Sequence, residues 1–253
     1  MKILIVAATE TEIGPTLTHL QEQHRRIGPK SFRLGSGLVD VLITGVGMVP
    51  TTFHLAKRLQ RNHYDLVLNA GIAGSFRRDW PLGEVVEVVE ERFADWGAEA
   101  ADGSLLDVFS LGLIDPDRPP FRGGRLPNHH PRLRPQLPAA KGLTVQKVHG
   151  SQASILVALD RYEAEVESME GAAVFLTCLL EGVPFAQLRA LSNYVEPRQR
   201  DNWQIGPAVE ALNRELVGLL GDWGRRSLGA PLHPLKPLKP LKPLKPLKPL
   251  YPL

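Results

Sequence analysis

A handful of polar residues stand where this sequence is otherwise apolar. Residues 166–193 read V-E-S-M-E-G-A-A-V-F-L-T-C-L-L-E-G-V-P-F-A-Q-L-R-A-L-S-N. Two polar clusters, Glu167–Glu170 and Arg189–Asn193, flank an apolar stretch with helical spacing. Pro184 introduces a second apolar run, Phe185 to Leu191, which reads as a buried strand. Glu170 is therefore expected where a strand hands over to a helix, and Asn193 just past a strand end. In open α/β sheets ligands bind outside the carboxyl ends of strands. An arginine inside an apolar strand needs an acidic partner or an anionic ligand. A carboxylate, a guanidinium and an amide arriving together at such an end make a candidate site. Glu12 adds a second carboxylate near the end of the first strand. Each has a plainer reading: Glu12 and Glu170 as acids favoured at helix starts, Asn193 as a strand terminator.

The elements that must carry these residues alternate in type. Met1–Ala8 reads as a buried strand, and Thr11 to Gln23 as a helix interrupted early by Gly14-Pro15. Val39–Thr44 is a strand leading into the turn Gly45-Val46-Gly47. Residues 50–60 have helix spacing, with Pro50 at the tolerated first turn. Asp65–Ala70 is a strand, with Gly71-Ile72-Ala73-Gly74 as a glycine turn at its end. Glu84–Glu91 and Thr144–Val148 are further strands, and 201–224 is a closing helix. Such alternation implies an α/β fold with a mostly parallel sheet covered on both faces.

Residues 112–140 break the pattern with seven prolines from Pro116 to Pro138 and Gly123-Gly124. A long loop, a lid and disorder are all consistent with that composition. Residues 231–250 repeat P-L-K, which cannot build a core and is expected to be extended. The organisation expected is one domain over 1–228 and a tail over 229–253.

Thirty Lys and Arg face 27 Asp and Glu, giving +3. Five of those lysines lie in the tail, so the remainder balances at 25 against 27. That is no nucleic-acid binder by charge. No apolar run reaches the roughly 18 residues of a membrane span. Cys178 is the single cysteine, so no internal disulfide forms, which fits a cytoplasmic protein. His129, His130 and His149 show no metal-ligand spacing and read as surface residues. Gly45-Val46-Gly47, with Asp65 twenty residues on, imitates a dinucleotide fingerprint. The third glycine is replaced by Pro50, and Asp65 begins its strand instead of ending it. A plain backbone turn is the better reading, and no metal or cofactor is expected.

Together, M-K-I-L-I-V-A-A-T-E-T-E, T-G-V-G, D-L-V-L-N-A-G-I-A-G, G-E-V-V, S-M-E-G-A and R-A-L-S-N resemble the methylthioadenosine/S-adenosylhomocysteine nucleosidases and their purine nucleoside phosphorylase relatives. The likeness is ordered and covers about residues 1–225. Within that superfamily E-S-M-E-G-A-A, L-R-A-L-S-N-Y-V-E and R-Q-R-D-N-W point to the futalosine hydrolases. The resemblance implies a three-layer α/β/α fold with a central mixed, mostly parallel sheet, a nucleoside as substrate and a homo-oligomer. It implies Glu12 as the base that activates water and Glu170, after Met169, as the carboxylate on the ribose hydroxyls. Arg189 matches a positioning arginine. Gly71, Ala73 and Gly74 match the lining of the sugar pocket. Asn193 falls where adenine-cleaving relatives carry an aspartate, and Ile72 where Ser or Thr is common. Both departures favour hydrolysis of a 6-oxopurine nucleoside over phosphorolysis or adenine release. A binding-only sensor on the same fold would not need both Glu12 and Glu170.

The tail yields a test of its own. A protein ending at Gly229 is expected to keep its turnover and its melting temperature. A large fall in either would show that the P-L-K segment contributes to the domain.

Overall fold

The computed structural model describes residues 1–226; the expectation for the 229–253 tail lies outside them. Twelve strands are described: β1 (Lys2–Ala7), β2 (Arg26–Gly28), β3 (Ser31–Leu34), β4 (Gly37–Ile43), β5 (Leu66–Ser75), β6 (Val85–Phe93), β7 (Gly97–Glu99), β8 (Leu105–Asp107), β9 (Leu126–Pro127), β10 (Ala139–Thr144), β11 (Val166–Ser168) and β12 (Phe185–Tyr194). Five α-helices join them: α1 (Glu10–Gln23), α2 (Met48–Arg61), α3 (Gln152–Arg161), α4 (Gly171–Glu181) and α5 (Ile205–Arg226). All but β7 and β8 form one sheet. Its centre, β4-β1-β5-β12, is parallel, as is the block β6-β10-β11. Antiparallel pairing joins the two blocks at β12–β6, and β11 closes back onto the end of β5. The expected three layers are present.

Alternation along β1 explains the layering. Ile3 and Ile5 point into one core with α1 and α5, through Leu17, Leu20, Leu212 and Leu216. Leu4 and Val6 point into the other with α2 and α4, through Leu55, Leu59, Phe175 and Cys178. Neither face meets water, so the strand reads as a continuous apolar run.

Several boundaries differ from those read in the sequence. The segment Gly71–Gly74 is not a turn: β5 runs through it to Ser75, paired with β12 on one side and β11 on the other. Asn193 lies inside β12, not past its end. The strand expected at 144–148 is instead Ala139–Thr144. The 112–140 segment is a docked strap. Leu133 N and Arg134 N donate to the Glu87 carboxylate at 2.7 and 2.9 Å, and Asn128 Nδ2 donates to Phe185 O at 2.9 Å. Phe185 begins β12, so Asn128 anchors the strap at the opposite end of that strand from Asn193.

One repair holds the start of α1. Pro15 lies inside the helix and Ile13 has φ −121°, so the backbone ladder is broken there. Buried Asn213 of α5 fills the gap. Its Oδ1 accepts from Thr16 N at 3.0 Å and Thr16 Oγ1 at 2.6 Å, while its Nδ2 donates to Glu12 O at 2.8 Å. An amide thus stands where the Thr16-to-Glu12 backbone bond would be. Asn213→Ala strands those groups in a dry core at about 1–3 kcal/mol each. Thermal unfolding should show a loss of about 2–4 kcal/mol, with Asn213→Asp, which keeps the acceptor, falling between. An unchanged melting temperature for the alanine variant would refute this role.

Candidate active site

The site grows around a glycine. Gly71 pairs with Arg189 across β5 and β12. A Cβ on Gly71 would collide with Arg189 Nη1 and lie 2.8 Å from Glu12 Oε1. Only a bare backbone lets guanidinium and carboxylate approach over the strand. Arg189 is 1% exposed. Its Nη2 donates to Asn69 Oδ1 at 2.9 Å and lies 3.9 Å from Glu170 Oε2. Its Nε has no partner among the described residues.

Helix starts fix both carboxylates. Glu12, in the first turn of α1, accepts at Oε2 from Thr9 N and Thr9 Oγ1, both at 3.0 Å. Its Oε1 accepts from Ile72 N at 3.2 Å. Glu170 is the residue that caps α4, and its Oε1 accepts from Gly47 N at 2.9 Å. The Gly45–Gly47 segment, read as a mere turn, thus holds a site carboxylate. Gly47 has φ +96°, a conformation that favours glycine. Burial raises the pKa of Glu170; the Arg189 charge and the Gly47 N–H oppose the rise, and the charge of Glu12 adds to it.

Asn193 stands apart from that cluster, on the next register. A bulge at Ser192 brings it opposite Gly74. Its Oδ1 accepts from Ser192 Oγ at 2.8 Å and its Nδ2 donates to Tyr194 O at 3.0 Å. One N–H of the amide stays available. Ser192 Oγ also reaches Ala73 O at 3.2 Å. Met169 packs with Phe76 and Val148 against Leu143 and Val145. The structure therefore gathers Glu12, Glu170, Arg189 and Gly71 directly. It places Ala73, Gly74 and Asn193 beside them at the strand ends, with Met169 between Glu170 and a separate apolar cluster.

Two of the histidines are not surface residues. His130 is half-buried against Phe185, and His149 is engaged by Glu167 through its backbone N–H and its ring Nδ1. Among the described residues no cluster of His, Cys, Asp and Glu is arranged to hold a metal. No described helix is long and apolar enough to cross a membrane.

A second row of polar groups lies behind the site. Glu91 is 1% exposed. It accepts from Gln187 Nε2 at 2.6 Å and from Thr144 Oγ1 at 2.8 Å, and Thr144 Oγ1 accepts in turn from Ala172 N at 2.7 Å. Side chains at Gly142 or Gly171 would collide with it. The chain Glu91–Thr144–Ala172 thus seats the first turn of α4 next to Glu170. No sequence pattern marked Asn69, Glu91, Thr144 or Gln187, although Asn69 and Gln187 stand as polar residues inside apolar runs.

No family model matches the chain. The futalosine hydrolase of Streptomyces coelicolor is 37% identical over 202 residues, covering 77% of this chain and 83% of that protein. The chain belongs to the futalosine hydrolase family. The family's Thermus thermophilus enzyme is 36% identical over 197 residues, covering 75% and 84%. A 5′-methylthioadenosine/S-adenosylhomocysteine nucleosidase of Chromohalobacter salexigens is 28% identical, covering 76% and 84%. The solved futalosine hydrolase of Helicobacter pylori superposes with a TM-score of 0.68 at 18% identity, over 88% of this chain and 98% of that one. At that identity it attests the shared fold.

Glu91 supplies a pH test. Burial pushes it up to about 7, against the pull of Gln187, the Arg189 charge and Thr144. Its value in the folded protein lies above that of a carboxyl in water, so its protonated form favours folding. That contribution is full below the ordinary carboxylate range and is lost as pH rises through about 7. Glu91→Gln removes the charge and keeps the shape. It should melt level with wild type at about pH 5 and several degrees above it at about pH 8, at roughly 2–4 °C per kcal/mol. A variant melting no higher than wild type at the upper pH would refute the burial argument.

Proposed function

We propose that this protein hydrolyses the N-glycosidic bond of futalosine, releasing hypoxanthine and dehypoxanthine futalosine, as a step of menaquinone biosynthesis by the futalosine route. The observation that carries the reading is the identity to futalosine hydrolases, 31–37% over most of the chain in three of them. The geometry around Arg189 supplies what such a bond cleavage needs. The transition state is an oxocarbenium-like ribose. Glu170 receives the ribose hydroxyls and offsets the developing positive charge. Glu12, fixed by Thr9 and Ile72, takes the proton of the attacking water. Arg189 sets its positive charge beside Glu170, Met169 packs under the sugar, and Gly71, Ala73 and Gly74 let it approach the backbone. The available N–H of Asn193 binds the purine. No cofactor or metal takes part in this scheme.

Adenine nucleosidase activity is the second reading, favoured by the nucleosidase relatives at 26–28% identity. Asn193 argues against it. It stands where adenine-cleaving relatives carry an aspartate, and an amide gives up no proton from that position. We further infer a cytoplasmic homo-oligomer. Val46, Val49 and Phe53 are 54%, 69% and 59% exposed on and just before α2, beside Gly47, and leave an apolar stripe for a second copy to cover.

Incubation with futalosine, methylthioadenosine and inosine, with and without phosphate, and identification of the freed base, tests the reading. Hypoxanthine release from futalosine without phosphate is expected, with slow release of adenine. Glu12→Gln should lower turnover by about 10²–10⁴-fold while melting like wild type. Adenine release from methylthioadenosine at the futalosine rate would replace this reading with the nucleosidase one.

A further inference from the structure

A departing purine gathers negative charge on its ring, and a group that places hydrogen there speeds departure. Asn193 can donate a hydrogen bond but has no proton to transfer. Across β5 from it, Glu167 holds a residue that has, His149.

Gly74 is flanked on both sides. Asn193 of β12 is in register with it, and so is Glu167 of β11. Residues directly opposite one another on neighbouring strands project from the same face. Glu167 and Asn193 therefore rise from one face with Gly74 between them, and a Val195 methyl lies 2.9 Å from where a Gly74 Cβ would stand. Two strand spacings separate their Cα atoms by about 10 Å, the span of a flat heterocycle with a polar group at each edge.

Glu167 is 5% exposed and spends both oxygens on one residue. Oε1 accepts from His149 N at 3.1 Å, and Oε2 meets His149 Nδ1. Backbone and ring are thus fixed together. Phe76, just beyond the end of β5, sets its ring edge-on to the imidazole at 6.5 Å between centroids. The other ring nitrogen, Nε2, has no hydrogen-bond partner among the described residues. A carboxylate on Nδ1 with Nε2 left open is the arrangement in which an imidazole can pass a proton outward.

We propose that His149, oriented by Glu167, is the general acid that delivers the proton to the departing purine. This rests on the reading of the site as a purine nucleosidase. The bond from C1′ to the purine nitrogen breaks, and its electron pair moves onto the purine, which takes the proton from Nε2. Water forms the new bond to C1′ and gives its proton to Glu12. The ring keeps its Nδ1–H on Glu167 and regains a proton from solvent, while Glu12 releases one. Only water is consumed.

His149→Ala should lower kcat by about 10²–10⁴-fold with KM within about threefold of wild type. Added free imidazole should restore part of that rate to His149→Ala and none to Glu12→Gln. Glu167→Gln, which keeps the shape and removes the charge, should lose less. His149→Gln stands in if the alanine variant does not fold. A kcat within about threefold of wild type in the histidine variants, or a loss that imidazole leaves untouched, overturns the assignment. The ratios are taken on whichever nucleoside wild type cleaves fastest. Failure on futalosine then counts against the substrate reading, and failure of rescue against His149.

Discussion

A guanidinium buried in the middle of a β-strand is the constraint around which this protein is arranged. Arg189 has almost no contact with solvent, and a buried cation without compensation is among the most costly features a fold can carry. The sheet answers with Asn69 at hydrogen-bond distance and with the carboxyl groups of Glu170 and Glu91 nearby. Glu12 joins from α1 across the bare backbone of Gly71. Carboxylates outnumber the one cation. A pocket so charged favours a positive charge forming between its walls, and an oxocarbenium-like sugar is such a charge.

Positioning is achieved by helix starts, not by loops. Glu12 sits in the first turn of α1 and Glu170 caps α4, where acids are favoured by the exposed N–H groups and the helix dipole. Each start is braced from behind by a buried polar group of another element. Asn213 bridges the broken ladder beneath Glu12, and Glu91 with Thr144 seats the first turn beneath Glu170. The same alanine-sized liberties that a surface helix tolerates would here move a carboxylate relative to the substrate, and small displacements of reacting groups cost rate steeply.

Much of this was legible in the sequence, for identifiable reasons. Unbroken apolar runs gave β1, β5 and β12, because strands buried on both faces carry no polar alternation. Glu12, Glu170 and Arg189 stood out as charges against apolar surroundings, and the structure brings all three together. What stayed hidden depends on register and tertiary contact. The bulge in β6, where Ala140 and Lys141 pair with Val88 and Glu90, turns Glu91 onto the face of Val86 and Val88. A shift of one residue reverses which face a side chain occupies, so alternation counted through Val89 misplaces it. Gly71–Gly74 looked like a turn because glycines commonly mark one. Here their missing side chains are needed inside a strand, for the approach of Arg189, Glu12 and Asn193. Asn213 lies some two hundred residues from Glu12, and no local pattern connects them.

The nucleophile side of the pocket explains why water is the better partner than phosphate in the proposed chemistry. The backbone N–H of Ile72 is already engaged by Glu12, and its side chain packs against the core of β1, α1 and α5. A hydroxyl at that position would offer a donor toward an incoming anion; the isoleucine offers none. A phosphate dianion there would also face Glu12 and Glu170 at close range in a poorly solvated site, where like charges repel strongly. In the proposed chemistry water carries no charge to repel and brings a proton for Glu12 to remove. In that proposed chemistry an alkyl group at this position thus acts twice: it offers no donor to an anion, and it leaves the Glu12 carboxylate as the dominant polar group facing the nucleophile.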